Sequence, residues 1–67
     1  MSIAKVSEIS ATSNKSFQDA IEQGIARAHK TLRNLRSCWI KEQHVRVHEG
    51  SIAEYQVNMM VTFVLDD

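Results

Sequence analysis

The chain has 67 residues, of which eight are basic and eight acidic, so its formal net charge is zero. A chain of this length is expected to form one domain over residues 1–67, and its balanced charge provides no long-range field that attracts nucleic acid or an anionic membrane. No apolar run approaches the roughly 20 residues of a membrane span, and Lys5 interrupts the N-terminus before a signal-peptide core forms. These features predict a cytoplasmic protein without a nucleic-acid or membrane partner.

Small size makes the stability of a single core marginal, because a domain of about 60 residues buries only about 60% of the surface that its unfolded chain exposes. Such domains are commonly stabilised by disulfides, metals or oligomerisation. Cys38 is the one cysteine, so an internal disulfide is excluded, and no Cys/His cluster has the spacing of a zinc site. A free thiol also fits a reducing compartment. Self-association is therefore the expected source of additional stability.

The N-terminal segment predicts a short strand over residues 2–9, in which Ile3, Val6 and Ile9 alternate irregularly with polar residues. The spacing leaves open which face of this strand is buried. Residues 10–14 are rich in side chains that hydrogen-bond their own backbone, which predicts a loop.

The next segment predicts a helix over residues 17–34. Ser16 is the expected N-cap, and Asp19 places an acid in the first turn, where the helix dipole favours it. Gly24 lies on the apolar side of this helix at a propensity cost of about 1 kcal/mol, which a close approach to a sheet would explain. The apolar positions recur with the 3.6-residue period of an amphipathic helix, at Phe17, Ala20, Ile21, Ile25, Ala28, Leu32 and Leu35.

Two long strands are predicted to follow, over residues 37–48 and 51–65, joined by a hairpin turn at Glu49 and Gly50. The last strand alternates regularly, so its two faces can be assigned. The face expected to pack on the helix carries Tyr55, Val57, Met59, Val61, Phe63 and Leu65, and the other face carries Gln56, Asn58, Met60, Thr62 and Val64.

Two features of these strands favour covered outer surfaces. The second face of the last strand has no charged residue between positions 56 and 64, although the single predicted helix already covers the first face. In the preceding strand the apolar residues Cys38 and Ile40 are even-numbered, whereas Val45 and Val47 are odd-numbered. A β-bulge would explain this change, and so would a strand that packs first on its own helix and then on a neighbouring subunit.

With this order of elements, the sequence resembles the dodecins, a family of small bacterial and archaeal flavin-binding proteins. The resemblance covers nearly the whole chain and rests on residues 24–36 in the helix, the Tyr-Gln-Val element at 55–57 and the closing strand at 61–65. It implies an α+β fold of βαββ order, with a three-stranded antiparallel sheet partly wrapped around one helix. It also implies that twelve copies assemble as a hollow homododecamer with tetrahedral symmetry.

The resemblance further implies a flavin cofactor, such as FMN, riboflavin or lumichrome, bound between subunits. In the family a tryptophan at the start of the second strand stacks on the ring, and a glutamine of the third strand hydrogen-bonds its polar edge. Gln56 matches the glutamine, but the tryptophan position falls on Ser37, and Trp39 lies two residues further along. An arginine common in bacterial members corresponds to His44. Gln56, Trp39, Ser37 and His44 are therefore the candidate cofactor-binding residues.

Each candidate also has an ordinary structural interpretation. Trp39 stacks on a planar ligand or packs in a subunit interface, and the interface is the favoured reading because large aromatics dominate interface burial. Gln56 reads the imide edge of a ligand or forms a sheet-face hydrogen bond between subunits. His44 contacts a phosphate or is part of a polar strand end. Cys38 is expected to face the helix as a small buried thiol.

The sequence shows no catalytic arrangement: we find no nucleophile placed with a base, no carboxylate pair and no glycine-rich phosphate loop in the sequence context that such sites need. We therefore expect no enzyme activity. The predicted function is flavin storage or sequestration in a homododecamer. The alternative is a dodecin-like shell that has lost the usual flavin binding and that binds another small ligand or ion, or is purely structural.

Overall fold

The computed structural model describes residues 3–65, so residue 2 of the predicted first strand lies outside the described part of the chain. Along the chain it contains strand β1 (Ala4–Ser13), helix α1 (Phe17–Thr31), strand β2 (Leu35–His48) and strand β3 (Ser51–Val64). The strands form one antiparallel sheet in the order β1-β3-β2, so β3 is central and hydrogen-bonds to both neighbours. This architecture confirms the predicted βαββ fold class.

Strand β1 extends four residues beyond the predicted end, and the predicted loop over residues 10–14 is wrong for residues 10–13. These residues pair with β3 in an unbroken antiparallel register that ends with Ser13 opposite Tyr55. Local hydrogen-bonding propensity favoured a turn, but pairing with a distant strand decides the conformation. The connection to α1 is therefore only three residues long.

Helix α1 begins as predicted but ends three residues earlier. The Ser16 hydroxyl accepts a hydrogen bond from the Asp19 backbone N–H at 2.9 Å, which confirms the N-cap. At the other end, Leu32 leaves the helical conformation, with φ −110° and ψ 132°, and Asn34 adopts a left-handed φ of 57°. The chain has to reverse within these residues to enter β2. The helix is too short and polar to cross a membrane, and no other helix occurs in residues 3–65.

The helix packs on the sheet through small residues. A Cβ atom built on Gly24 would lie 2.5 Å from Met59 Cε and 3.1 Å from the Ala11 Cβ, which confirms the close helix–sheet approach. Ala20, Val57 and Met59 form the fully buried cluster beneath the helix. Phe17 meets the ring of Tyr55 edge-on, with centroids 5.1 Å apart, and extends the packing to the first turn of the helix.

The hairpin of β2 and β3 is longer than the helix that covers it. Fifteen helical residues span about 22 Å, whereas strands of 14 residues span about 46 Å. The subunit is consequently elongated, with extents of 51 × 19 × 13 Å. Beyond the first turn of the helix, Val45, Val47 and Ile52 remain exposed, Val47 by 62%; we call these three residues the hairpin-tip patch.

The tip itself is a two-residue turn. Glu49 and Gly50 have φ angles of 49° and 79°, between strand ends at His48 and Ser51. Two consecutive left-handed residues match the right-handed twist of the flanking strands, which is why two-residue hairpins prefer this geometry. The predicted position of the turn is confirmed.

Candidate functional site on the outer face of the sheet

A bulge in β2 decides which side chains share a face. The register of β2 against β3 shifts between Ile40 and Glu42, so that Lys41 is the additional residue. Before the bulge, Trp39 lies opposite Met60; after it, His44 lies opposite Gln56. Since Met60 and Gln56 are on one face of β3, the odd-numbered Trp39 and the even-numbered His44 also share that face. Of the two explanations considered for the change of buried face in this strand, the β-bulge is therefore present in the structure.

We call the side of the sheet opposite α1 the outer face. It carries all four candidate cofactor-binding residues. All three strands contribute side chains to it. From the hairpin end, its side chains form cross-strand rows of Thr12, Gln56 and His44; Ser10, Asn58 and Glu42; Glu8, Met60 and Trp39; and Val6, Thr62 and Ser37.

The candidates do not converge within one subunit. Same-face rows are about 7 Å apart, so Gln56 lies about 14 Å from the row of Trp39 and about 20 Å from that of Ser37. Gln56 and His44 are neighbours in one row, and Trp39 is separated from them by the row of Asn58. Within one subunit, Gln56 and Trp39 are therefore too far apart to contact the same ring edge and ring face of one flat ligand.

Gln56 is held by a hydrogen-bond chain that crosses the sheet. Its Nε2 donates to Ser10 Oγ at 3.0 Å and to Asn58 Oδ1 at 3.2 Å. Asn58 Nδ2 donates in turn to Glu42 Oε1 at 2.8 Å. Both amide hydrogens of Gln56 are thus used within the subunit, and the Oε1 acceptor receives no hydrogen bond from residues 3–65.

Glu42 is the charged end of this chain. The hydrogen bond from Asn58 lowers the pKa of the Glu42 carboxyl, with smaller contributions from the nearby charges of His44 and Lys41, while partial desolvation opposes them. The imidazole of His44 lies 3.6 Å from Glu42 Oε2. The carboxylate consequently remains ionised, and remains an acceptor only, at neutral pH.

The outer face is not free of charge. The expectation drawn from residues 56–64 holds for β3 alone, because the flanking strands contribute Glu42 and an ion pair between Lys41 and Glu8 at 3.2 Å. The outer face is therefore divided into two halves of different chemistry. One half is polar and internally hydrogen-bonded, and the other half is dominated by Trp39, whose surface is 50% exposed.

Cys38 lies on the other side of the sheet, as predicted, where it packs against the buried cluster under α1. On that same side, a concavity of about 520 Å³ opens between β1 and α1 and is lined by residues such as Ile9, Ala11, Gly24 and Arg27. None of the four candidate residues contributes to it. Within residues 3–65, no three His, Cys, Asp or Glu side chains are grouped as metal ligands.

Sequence reasoning found Gln56 but missed Glu42, Asn58 and Ser10 as its partners. The alternation of Gln56 and Asn58 at i and i+2 is a signal that could have found Asn58. Glu42 was hidden by the bulge, because a regular strand would have placed it on the same side as Cys38. The assignment of Gln56, Trp39, Ser37 and His44 to a ligand stays a prediction.

The sequence profile of the Dodecin family matches residues 3–66. This chain belongs to the dodecin family. A dodecin from Thermus thermophilus is 37% identical over 65 residues, covering 97% of this chain and 94% of the relative. A dodecin structure from Streptomyces davaonensis is 38% identical, with a TM-score of 0.93 and coverage of 98% and 97%.

A third relative is named for the ion that it binds. The crystal structure of a calcium-chelating dodecin from Mycobacterium tuberculosis, described with a novel calcium-binding site, matches with a TM-score of 0.82. It is 28% identical, and the match covers 96% of this chain and 91% of that one. One protein with a similar fold is therefore described as binding calcium.

Proposed function

We propose that this dodecin assembles as a hollow homododecamer and stores or sequesters a flavin in pockets between its subunits, without enzymatic activity. The observation that carries the proposal is the placement of Gln56, whose uncommitted amide oxygen lies on the outer face of a family-typical fold. The lone thiol Cys38 supports a role in the reducing cytoplasm.

Assembly is supported by the surface that one subunit leaves exposed. A compact 7.6 kDa protein has an accessible surface of about 4,300 Å², whereas this subunit exposes 4978 Å². Its radius of gyration of 13.8 Å also exceeds the value of about 11 Å for a compact chain of this length. The excess includes Trp39 and the hairpin-tip patch, which are the large apolar side chains that an interface would bury.

Light scattering coupled to size-exclusion chromatography tests the assembly directly. We expect a mass of about 91 kDa, twelve times the 7.6 kDa of the chain. A stable monomer of normal secondary structure would show that the subunit completes its core alone and would overturn the shell.

Ligand binding is supported by the chemistry of an amide next to a large aromatic. An amide accepts a hydrogen bond from an imide N–H through its oxygen, and an exposed indole face suits a planar heterocycle. Gln56 supplies the first from one subunit, and Trp39 supplies the second from a neighbour. Shielded in this way, a flavin is removed from solution and from light-driven side reactions.

Fluorescence quenching of riboflavin, FMN and lumichrome on titration with the purified protein tests the ligand. We expect quenching at micromolar protein, and we expect Gln56→Leu to weaken it by roughly tenfold. Gln43→Leu is the matched control, because Gln43 is exposed on β2 and lies opposite Val57, on the other side of the sheet. The absence of quenching by all three flavins would refute the proposed function.

A second candidate function is a dodecin shell that has lost the usual flavin stack and holds another small ligand or an ion. Ser37 favours it, because a serine stands where the family tryptophan is expected, and Trp39 lies about 7 Å further along the strand. The calcium-chelating relative supports this candidate, because its name gives an ion as the ligand. Under this reading, Ser37→Trp creates or strengthens flavin binding by at least tenfold, and an unchanged affinity argues against it.

A further inference from the structure

The hydrogen-bond chain behind Gln56 has a fixed direction. An ionised carboxylate can only accept hydrogen bonds, so Glu42 requires the NH₂ group of Asn58 to point toward it. The carbonyl oxygen of Asn58 is then turned to Gln56, at 3.2 Å from Nε2. Gln56 must donate to that oxygen through its own NH₂ group, which leaves the Gln56 amide oxygen available to a ligand.

We propose that Glu42 is a positioning residue that acts through Asn58 to orient the Gln56 amide, and thereby selects ligands that offer an N–H donor to Gln56. The inference rests on the proposed function for its ligand, but the orientation itself is a property of the free subunit. The class of ligand selected is a planar heterocycle with an unsubstituted imide or lactam N–H.

The rest of the surroundings is compatible with this direction. Ser10 Oγ accepts the second hydrogen of Gln56 Nε2 at 3.0 Å, so both amide hydrogens are directed into the sheet. Reversal of the Gln56 amide would leave two acceptors facing each other across the contact with Asn58. The titratable neighbours of Glu42 on this face are His44, whose Nε2 lies 3.6 Å from the second oxygen of Glu42, and Lys41, which pairs with Glu8. Within residues 3–65, the side-chain hydrogen bonds of Asn58 are those to Gln56 and Glu42.

Glu42→Gln tests the directionality with almost no change in shape. A glutamine at this position can either accept from or donate to Asn58, so both orientations of the Gln56 amide become available. Glu54→Gln is the matched control, because Glu54 lies on β3 opposite Arg46 of β2 and forms an ion pair with Arg46 at 3.6 Å, outside the hydrogen-bond chain of Gln56.

The first readout uses the free protein. In ¹⁵N-labelled protein without ligand, we expect the Gln56 side-chain amide protons to exchange with solvent several-fold more slowly than in Glu42→Gln, with no difference for Glu54→Gln. Asn58→Val should likewise speed the exchange of the Gln56 amide protons. The double variant of Glu42→Gln and Asn58→Val should exchange no faster than Asn58→Val alone, because both changes interrupt the same hydrogen-bond chain. Unchanged exchange in Glu42→Gln would overturn the proposal.

The second readout compares lumichrome with its N3-methyl analogue. Wild type is expected to prefer the N–H form by about tenfold, and Glu42→Gln is expected to lose most of that preference while Glu54→Gln keeps it. A preference that persists in Glu42→Gln would overturn the selection of ligands. If wild type binds neither compound, the proposed flavin function fails, and the exchange measurement alone decides whether Glu42 orients Gln56.

Discussion

The two methionines at the centre of β3 show how differently the two faces of one strand are used. Met59 is fully buried under α1 and contacts the position of Gly24, whereas its neighbour Met60 lies on the outer face opposite Trp39 and is only partly covered. The face with Met59 is completed by the subunit's own helix. The face with Met60 is completed only if another subunit or a ligand covers it, so only the first face is specified by the chain alone.

Truncation of each methionine tests this difference most strongly. Met59→Ala removes a fully buried side chain and leaves a cavity under the helix, so we expect the free energy of unfolding to fall by about 2–5 kcal/mol. Met60→Ala removes the same atoms from a partly exposed site, and we expect a loss of under about 1.5 kcal/mol in the subunit. Denaturant unfolding of both variants at one fixed protein concentration, low enough for light scattering to show the dissociated subunit, measures both losses, since assembly couples to stability. Equal losses would show that the outer face is as well packed as the inner one.

A charge in the hairpin-tip patch should break the assembly without breaking the core. Val47 lies beyond the helix and is 62% exposed in the subunit, so Val47→Asp costs little there but places an unpaired charge in any interface that covers it. We expect the mass by light scattering to fall below that of twelve subunits while the circular dichroism of the subunit persists.

The control for this variant introduces the same charge elsewhere. Gln18→Asp adds an acid to the first turn of α1, where the side chain is exposed and the helix dipole favours it. We expect it to leave the mass unchanged. A Val47→Asp protein that still measures twelve subunits would show that the hairpin-tip patch remains outside the interface.

The inner face could be predicted from the sequence because its signals are local or periodic. Ser16 indicated where the helix begins, and the alternation from Tyr55 to Phe63 identified the face of β3 that packs on the helix. Prediction failed for residues 10–13, where the polar composition indicated a loop but β3 holds the segment as a strand. That pairing is non-local, so no short window of sequence contains it.

The outer face could be predicted only in part. Gln56 was found because the family resemblance pointed to it, and Trp39 because a large aromatic on a strand is conspicuous. Glu42 was not found, since the bulge at Lys41 changes the face of every later residue in β2 and its position is set by the pairing with β3. In the proposed assembly, the partners of these outer-face residues belong to other subunits, so the packing of one chain does not determine them.

A smaller effect is expected where the helix approaches the sheet most closely. Gly24→Ala improves helix propensity by about 1 kcal/mol but places a Cβ 2.5 Å from Met59 Cε, which overpacks a buried site at a cost of about 1–3 kcal/mol. We expect a net loss of up to about 2 kcal/mol, measured by denaturant unfolding. Met59→Leu shortens the side chain at the clash and should recover part of the loss when the two changes are combined.

Gly50→Ala separates steric crowding from backbone strain. No atom lies within 4 Å of a Cβ built on Gly50, but its φ of 79° disfavours any side chain. Its destabilisation should therefore be unaffected by Met59→Leu. Equal recovery of both glycine variants by Met59→Leu would contradict the steric explanation for Gly24.

The smallest effect concerns the link between the end of β1 and the start of α1, and its dependence on pH lies in the acid range. Ser13 Oγ donates to Asp19 Oδ2 at 2.6 Å, and this hydrogen bond is the largest cause of a lowered pKa of Asp19; hydrogen bonding from Gln23 and the charge of Lys15 lower it further, against partial desolvation. A carboxyl whose folded pKa is depressed contributes stability above its ordinary pKa of about 4, and loses it as the pH falls through the folded pKa. Wild type should therefore lose stability below about pH 4 more steeply than Ser13→Ala, in which the pKa of Asp19 rises.

Side-chain carboxyl titration by NMR, together with unfolding at pH 3 and pH 6, measures this difference. Ser51→Ala is the matched control, because Ser51 is an exposed serine at the start of β3, remote from the helix. The pKa of Asp19 should rise in Ser13→Ala and stay in place in Ser51→Ala. Since Ser13 faces inward and is nearly fully buried, the shift should survive dissociation of the assembly, for example in Val47→Asp. A shift that vanishes with dissociation would mean that neighbouring subunits, and not the subunit's own inner face, hold this carboxylate.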